Sequence, residues 1–411
     1  MSDRVSARKV SPVIWLIFIA VVYVAVELVS MSGLWVLRTR RGGIEYFPSG
    51  SKLLPKTDSA LDDWLAGRPS PTLKADSTLG WRRVDVTAQR LRDDRLRSTY
   101  PAPGTVRIAA FGDSFTFGSD VKLHEAWSKR VEALNPSIEV LNYGIGGFGL
   151  DQAYLRYQLE GTVLNPDVVF IGYMTENIGR NVNVFRGFYA TGYSGFFFSK
   201  PRFRLDGDSL RLLPNPLRNV SDYRRLRNET EQVLTELGAN DFHYSGHYRA
   251  SVLDFSPTVR LLKLVAARAR KRRVIPIHTP DGRYDTRSEA YQLTLRIFDA
   301  FHAEVLRNGA IPIIVVFPDV DDQRRSRARA ERKYAPLLAY FRSRGYQYID
   351  LLEAFEPAES RFPLESLVVN WGHFSARGND LAARLLVARL AADSLTSANR
   401  LGLRRINRQN R

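Results

Sequence analysis

The stretch RIAAFGDSFTFGSDV, Arg107 to Val121, carries the decision about the fold. It opens as a short apolar run, breaks at Gly112-Asp113-Ser114, then continues through aromatics and another glycine. Gly-Asp-Ser is ordinary turn chemistry, because glycine relieves backbone sterics and aspartate hydrogen-bonds its own backbone. The same arrangement presents a serine hydroxyl at the end of a strand. The rest of the chain has to decide between these two readings.

Working outward, short β-rich runs recur at Val106 to Phe111, Ile138 to Asn142, Asp167 to Tyr173, Ile311 to Phe317 and Tyr346 to Leu351. Amphipathic stretches follow several of them, at Glu125 to Leu134, Asp151 to Leu159 and Ser375 to Leu390. Continuous apolar strands alternating with helices predict an α/β domain whose parallel sheet is covered on both faces. Ligands of such folds bind beyond the carboxyl ends of the strands, which is where Gly112-Asp113-Ser114 falls. The segment from Glu176 to Gly309 far exceeds an ordinary connection and reads as an insertion. Its aromatic part, VFRGFYATGYSGFFFSKPRFRL, is expected to pack as core; the functional reading is a cap over the site or a patch dipping into a membrane.

At 411 residues, 44% hydrophobic and 25% charged, the chain can bury a large core and is not a disordered protein. Its formal charge of +17 arises from 60 Lys+Arg against 43 Asp+Glu, with basic clusters at Ala267 to Arg273, Gln323 to Arg332 and Arg400 to Arg411. Such a balance attracts anionic surfaces, whether phospholipid, acidic glycan or nucleic acid. No zinc-ligand spacing or recognition-helix motif stands out, so no nucleic-acid partner is expected. The absence of cysteine excludes disulfides and thiol catalysis.

Near the N-terminus, Val13 to Val26 is unbroken apolar, and apolar character resumes after Glu27. The span can cross a bilayer of about 30 Å, and an uncleaved single-pass anchor is favoured over a signal peptide, since Ser30-Met31-Ser32 is a poor cleavage site. Glu27 carries a penalty of roughly a few kcal/mol in hydrocarbon. Arg4, Arg8 and Lys9 before the span nearly balance Arg38, Arg40 and Arg41 after it; the catalytic part is expected on the extracytoplasmic, periplasmic side. The expected organisation is a basic tail (1–12), a transmembrane anchor (13–37), a tether (38–104), a catalytic domain (105–392) with an insertion at about 182–309, and a basic tail (393–411).

A serine hydroxyl needs a base to take its proton and donors to hold the oxyanion that forms. Three further blocks lie at strand ends in the right order: LNYGIGGFGLDQ (Leu141 to Gln152), GYMTENIGRN (Gly172 to Asn181) and NWGHFSARGND (Asn370 to Asp380). They bring backbone-exposing glycines, amide side chains and a histidine. Among the other histidines, His243 and His247 form at most a small polar cluster; no metal and no cofactor is expected.

With these four blocks the chain resembles the SGNH/GDSL hydrolases over Arg107 to Asn181 and Ile311 to Leu390, as a membrane-anchored, bacterial-type member. The resemblance implies a three-layer α/β/α sandwich around a five-stranded parallel sheet of flavodoxin-like order. It implies Ser114 as nucleophile, His373 as base, and an oxyanion hole from the Ser114 and Gly147 N–H groups and a third block's asparagine. Asp113, in this family, shapes the turn. Two departures stand out. An ungapped match from Pro166 puts Glu176 at the asparagine position, whereas a one-residue shift puts Asn177 there, and Asn177 is assigned as donor. Asn370 replaces the aspartate that usually orients the histidine, which leaves a Ser–His dyad or another carboxylate such as Asp350 or Glu365. The expected activity is ester hydrolysis through an acyl-enzyme on a glycan- or lipid-borne ester; O-acyl transfer to an envelope polysaccharide and a degenerate glycan- or lipid-binding protein are the alternatives.

Overall fold

The computed structural model describes residues 11–39, 46, 53–54, 59–68, 70–190, 197–246, 250–272, 274–359, 361–369 and 372–392. Among the described residues the strands are β1 Leu73–Asp76, β2 Gly80–Arg83, β3 Val106–Phe111, β4 Ile138–Asn142, β5 Val168–Met174, β6 Arg202–Asp206, β7 Ser209–Leu213, β8 Ile311–Phe317 and β9 Tyr348–Asp350. The helices used below are α1 Pro12–Thr39, α2 Trp127–Leu134, α3 Leu150–Glu160, α4 Pro257–Arg272, α5 Glu289–Arg307, α6 Val320–Arg327 and α7 Ala376–Ala392.

The sheet order is β4-β3-β5-β8-β9, and every pairing is parallel. This three-layer sandwich is the one expected, with each strand within two residues of its predicted bounds. Alternation splits the strands between two cores. Ile108, Ala110, Phe170, Ile313 and Val315 pack against α2 and α7 through Trp127, Val131 and Leu386. Ala109, Phe111, Val169, Ile171, Ile314 and Val316 pack against α3 and α5 through Tyr157, Phe298 and Phe301. Each such buried side chain contributes about 1.5–3 kcal/mol. Strand order reverses between β3 and β5, so the loops after these two strands diverge there and open a crevice at the carboxyl edge.

The tether expected at 38–104 is corrected. Leu61, Leu79, Trp81 and Leu91 are buried in the same core as the sheet, and β1 and β2 form an antiparallel hairpin. The Trp81 indole N–H donates to the Gly146 carbonyl at 2.9 Å, and Arg92 donates to the carbonyls of Phe117 and Val121, each at 2.7 Å. A polar, Pro-rich composition concealed a few large anchors. The insertion is also shorter than expected, because α5 is a layer helix with Leu293, Ile297, Phe298 and Phe301 buried on the sheet. Within the aromatic stretch Phe185, Phe188, Phe197, Phe198 and Phe203 are buried, as the core reading requires.

Helix α1 has a mean hydropathy of 2.6 over its most apolar window and is almost wholly exposed on the protein, long and apolar enough to cross a membrane. The tails at 1–10 and 393–411 lie outside the described residues. Trp81→Ala is expected to cost about 3–5 kcal/mol, read as a lower melting temperature of the detergent-solubilised chain. A change within about 0.5 kcal/mol would restore the tether.

Candidate active site

Ser114 opens a one-turn helix, Ser114–Phe117, immediately after β3. Asp113 caps it, its carboxylate accepting from the Phe115 N–H at 2.9 Å, and Gly118 closes it in the left-handed region at φ +73°. A side chain at Gly112 would collide with the Thr116 hydroxyl and come within 2.9 Å of the Gly172 carbonyl, so only glycine lets the chain turn this tightly between β3 and β5. The serine is therefore held at the carboxyl edge of β3, 7% exposed.

The glycine block after β4 is tied to this turn. Asn142 donates through Nδ2 to the Thr116 carbonyl at 2.9 Å and accepts the Gly144 N–H at 3.0 Å. The Ile145 N–H reaches the Gly112 carbonyl at 3.0 Å. Gly147 has φ +82°, a conformation that favours glycine, and a Cβ built on Gly146 would lie 3.9 Å from that of Ser114. The loop thus brings its backbone alongside the serine.

His373 comes from the loop before α7 and shares one cleft of about 640 Å³ with Ser114 and Gly147. Its Nδ1 lies 2.6 Å from Asp120 Oδ2, and its ring stands edge-on to Phe115 at 5.1 Å. Asp120 follows the nucleophile by six residues and occupies the left-handed region at φ +63°, unusual for a side-chain-bearing residue. The carboxylate partner of the histidine therefore comes from the loop that carries Ser114. Asp350 is not that partner: it sits buried between Arg332 at 2.7 Å and the Tyr334 hydroxyl at 2.9 Å, and burial pushes its carboxyl up to about 6. Glu365 is exposed, and Asn370 lies outside the described residues.

Glu176, rather than Asn177, lines the cleft. Burial raises the Glu176 carboxyl, but Arg180, 3.4 Å away, and a hydrogen bond from the Tyr189 hydroxyl outweigh it and hold the group below the usual range. Its negative charge is thereby offset beside the serine. Asn177 begins the turn behind it, 1% exposed, with its carboxamide oxygen lacking a hydrogen-bond partner. Arg180 also reaches Asp113 at 3.3 Å and the Phe148 carbonyl at 3.1 Å, linking the cleft wall to the nucleophile turn. Burial raises the Asp113 carboxyl and Arg180 opposes the shift. Arg186, Tyr189 and Ala190 of the insertion also line the cleft. His243 Nε2 lies 2.9 Å from the Gly179 carbonyl, a structural contact behind the wall; His247 lies outside the described residues.

Sequence reasoning missed Asp120, Arg92, Trp81 and Arg180. Asp120 stands inside the opening stretch, but nothing in spacing along a chain shows that a loop residue six positions on will fold back to meet a histidine 253 residues away.

No family model matches the chain, and no curated protein matches it. Among solved structures, a member of the lipolytic protein G-D-S-L family from Veillonella parvula aligns over 69% of this chain and 97% of its own, at 13% identity and TM-score 0.31. An acetyl xylan esterase from Geobacillus stearothermophilus aligns over 71% and 97%, at 13% identity and TM-score 0.34.

Arg180→Met leaves Asp113 fully buried without its cation and is expected to cost about 3–5 kcal/mol, measured by thermal unfolding in detergent. An unchanged transition would show that the pair contributes nothing.

Proposed function

We propose that this protein is a membrane-anchored serine ester hydrolase of the SGNH/GDSL type. The observation that carries the reading is one cleft holding Ser114, the Gly146-Gly147 backbone and His373, with the imidazole Nδ1 on Asp120. With Nδ1–H donating to Asp120, Nε2 is the free base. It takes the Ser114 proton as Oγ attacks the ester carbonyl, and the Ser114 and Gly147 N–H groups receive the oxyanion. His373 returns the proton to the departing alcohol, and water, deprotonated by the same nitrogen, releases the acid. Asp120 holds the imidazole in the productive tautomer and stabilises imidazolium, the task that Asn370 has no charge to perform.

Asn177 is proposed as a third oxyanion donor. It stands behind Glu176, 1% exposed, so this role requires its carboxamide to turn past Glu176 into the cleft. The proposed substrate is an acyl ester carried on a glycan or lipid, approached from the extracytoplasmic side. Arg186 and Tyr189 of the insertion, which line the cleft, favour a second reading, acyl transfer, in which a shielded acyl-enzyme passes its group to a sugar hydroxyl. Following a radiolabelled acetyl group with and without acceptor polysaccharide separates the two: water yields free acetate, transfer yields labelled polymer.

A fluorophosphonate probe is expected to add once, at Ser114, with the adduct absent from Ser114→Ala and His373→Ala by intact mass. No adduct on the folded chain would leave a binding protein. Asp120→Asn is expected to lower ester turnover by roughly 10³–10⁴-fold and Asn370→Ala by much less. The reverse order would remove Asp120 from the mechanism. Asn177→Ala is expected to lower turnover by roughly 10²–10³-fold, and unchanged turnover would leave only the backbone donors.

A further inference from the structure

The described phenylalanines of the aromatic stretch considered for membrane contact are buried, but another part of the insertion is not. Val252 is 90% exposed and Phe255 73%, in the turn that leads into α4; Leu262 and Val265 on α4 are 62% and 60% exposed. Large apolar side chains exposed this densely mark an interaction surface rather than scattered surface residues. Beyond them on the same helix Arg268, Arg270, Lys271 and Arg272 are exposed.

What this surface meets follows from its neighbour. Glu27 of α1 accepts from the Ser256 hydroxyl at 2.6 Å and from the Thr258 N–H at 3.1 Å. The Thr258 and Ser30 hydroxyls are 2.9 Å apart, Ser30 is the buried residue of α1, and Leu261 covers Gly33. The start of α4 is therefore fastened to α1 at Glu27. Glu27 lies about 22 Å along the helix from Pro12 at 1.5 Å per residue, against a hydrocarbon thickness of about 30 Å. Glu27 thus stands about 8 Å inside the far boundary, within the depth to which an interfacial helix buries its apolar face, and whatever binds it sits there.

We propose that Val252–Phe255 and the outward face of α4 form a second membrane contact, seated in the interfacial layer of an anionic phospholipid bilayer beside α1. Val252, Phe255, Leu262 and Val265 enter the acyl boundary, and Arg268, Arg270, Lys271 and Arg272 meet the phosphates. The carboxylate of Glu27 is satisfied there by the domain's own hydroxyl and N–H groups. The domain is thereby held at a set height over the lipid rather than swinging on a leash. The inference rests on the reading of α1 as a membrane span, not on the ester chemistry.

The absence of native cysteine allows a direct test on the full chain in phosphatidylcholine–phosphatidylglycerol vesicles, with an environment-sensitive fluorophore on single substitutions Val21→Cys, Val252→Cys, Leu262→Cys and Leu212→Cys. Each variant is first shown to keep its melting transition. Doxyl-labelled lipid is expected to quench the labels at positions 21, 252 and 262 at least twofold while iodide does not, and the label at position 212 should behave oppositely. Quenching at 252 and 262 is further expected to fall when Arg268, Arg270, Lys271 and Arg272 are all changed to Gln. Iodide access at 252 and 262 equal to that at 212, with 21 still lipid-quenched, would overturn the second contact alone. Iodide access at 21 as well would overturn the anchor and this inference with it.

Discussion

The central sheet is parallel and buried on both faces, and that constraint organises everything else. Parallel strands need crossovers, crossovers place helices on both sides, and all strands then point their carboxyl ends the same way. Ser114 after β3 and the glycine loop after β4 consequently open on one edge, joined there by the turn after β5. Arg107, fully buried at the opposite edge, ties β3 to its neighbours through Glu139 at 2.5 Å and through its own N–H to Asp167 at 3.0 Å.

The nucleophile turn is supported from unrelated parts of the chain. Arg92 holds the carbonyls around Phe117 and Val121, Trp81 pins the Gly146 carbonyl, and Arg180 joins Asp113 to the cleft wall. These contacts hold the backbone beside Ser114, where the proposed mechanism calls for pre-aimed donors. The segment before the catalytic domain and the insertion within it are thus parts of the site's scaffold. Through α4 and Glu27 the same insertion also fastens that scaffold to the apolar N-terminal helix.

The cleft balances charge locally although the chain as a whole is strongly basic. Glu176 would repel a developing oxyanion if left alone, but Arg180 and the Tyr189 hydroxyl engage it, with Arg186 close by. A carboxylate and an arginine separated by one helical turn supply a pre-formed pair, so the departure at Glu176 does not by itself argue against catalysis.

The roles considered for His373 and Gly147 came from the family resemblance of the four blocks, whereas local pattern by itself determined the strands, the layer helices α2, α3 and α7 and the position of Ser114 at a strand end. Those features depend on period-two and period-3.6 hydrophobicity and on turn chemistry, which reside in neighbouring residues. Only the tertiary structure decided that Asp120 meets His373, that Glu176 rather than Asn177 lines the cleft, and that Trp81 and Arg92 belong to the domain. The physical reason is common to all three. Each is a long-range hydrogen bond or packing contact made by one side chain, whose partner is set by where loops converge after the sheet has formed, and no periodicity along the chain encodes that convergence.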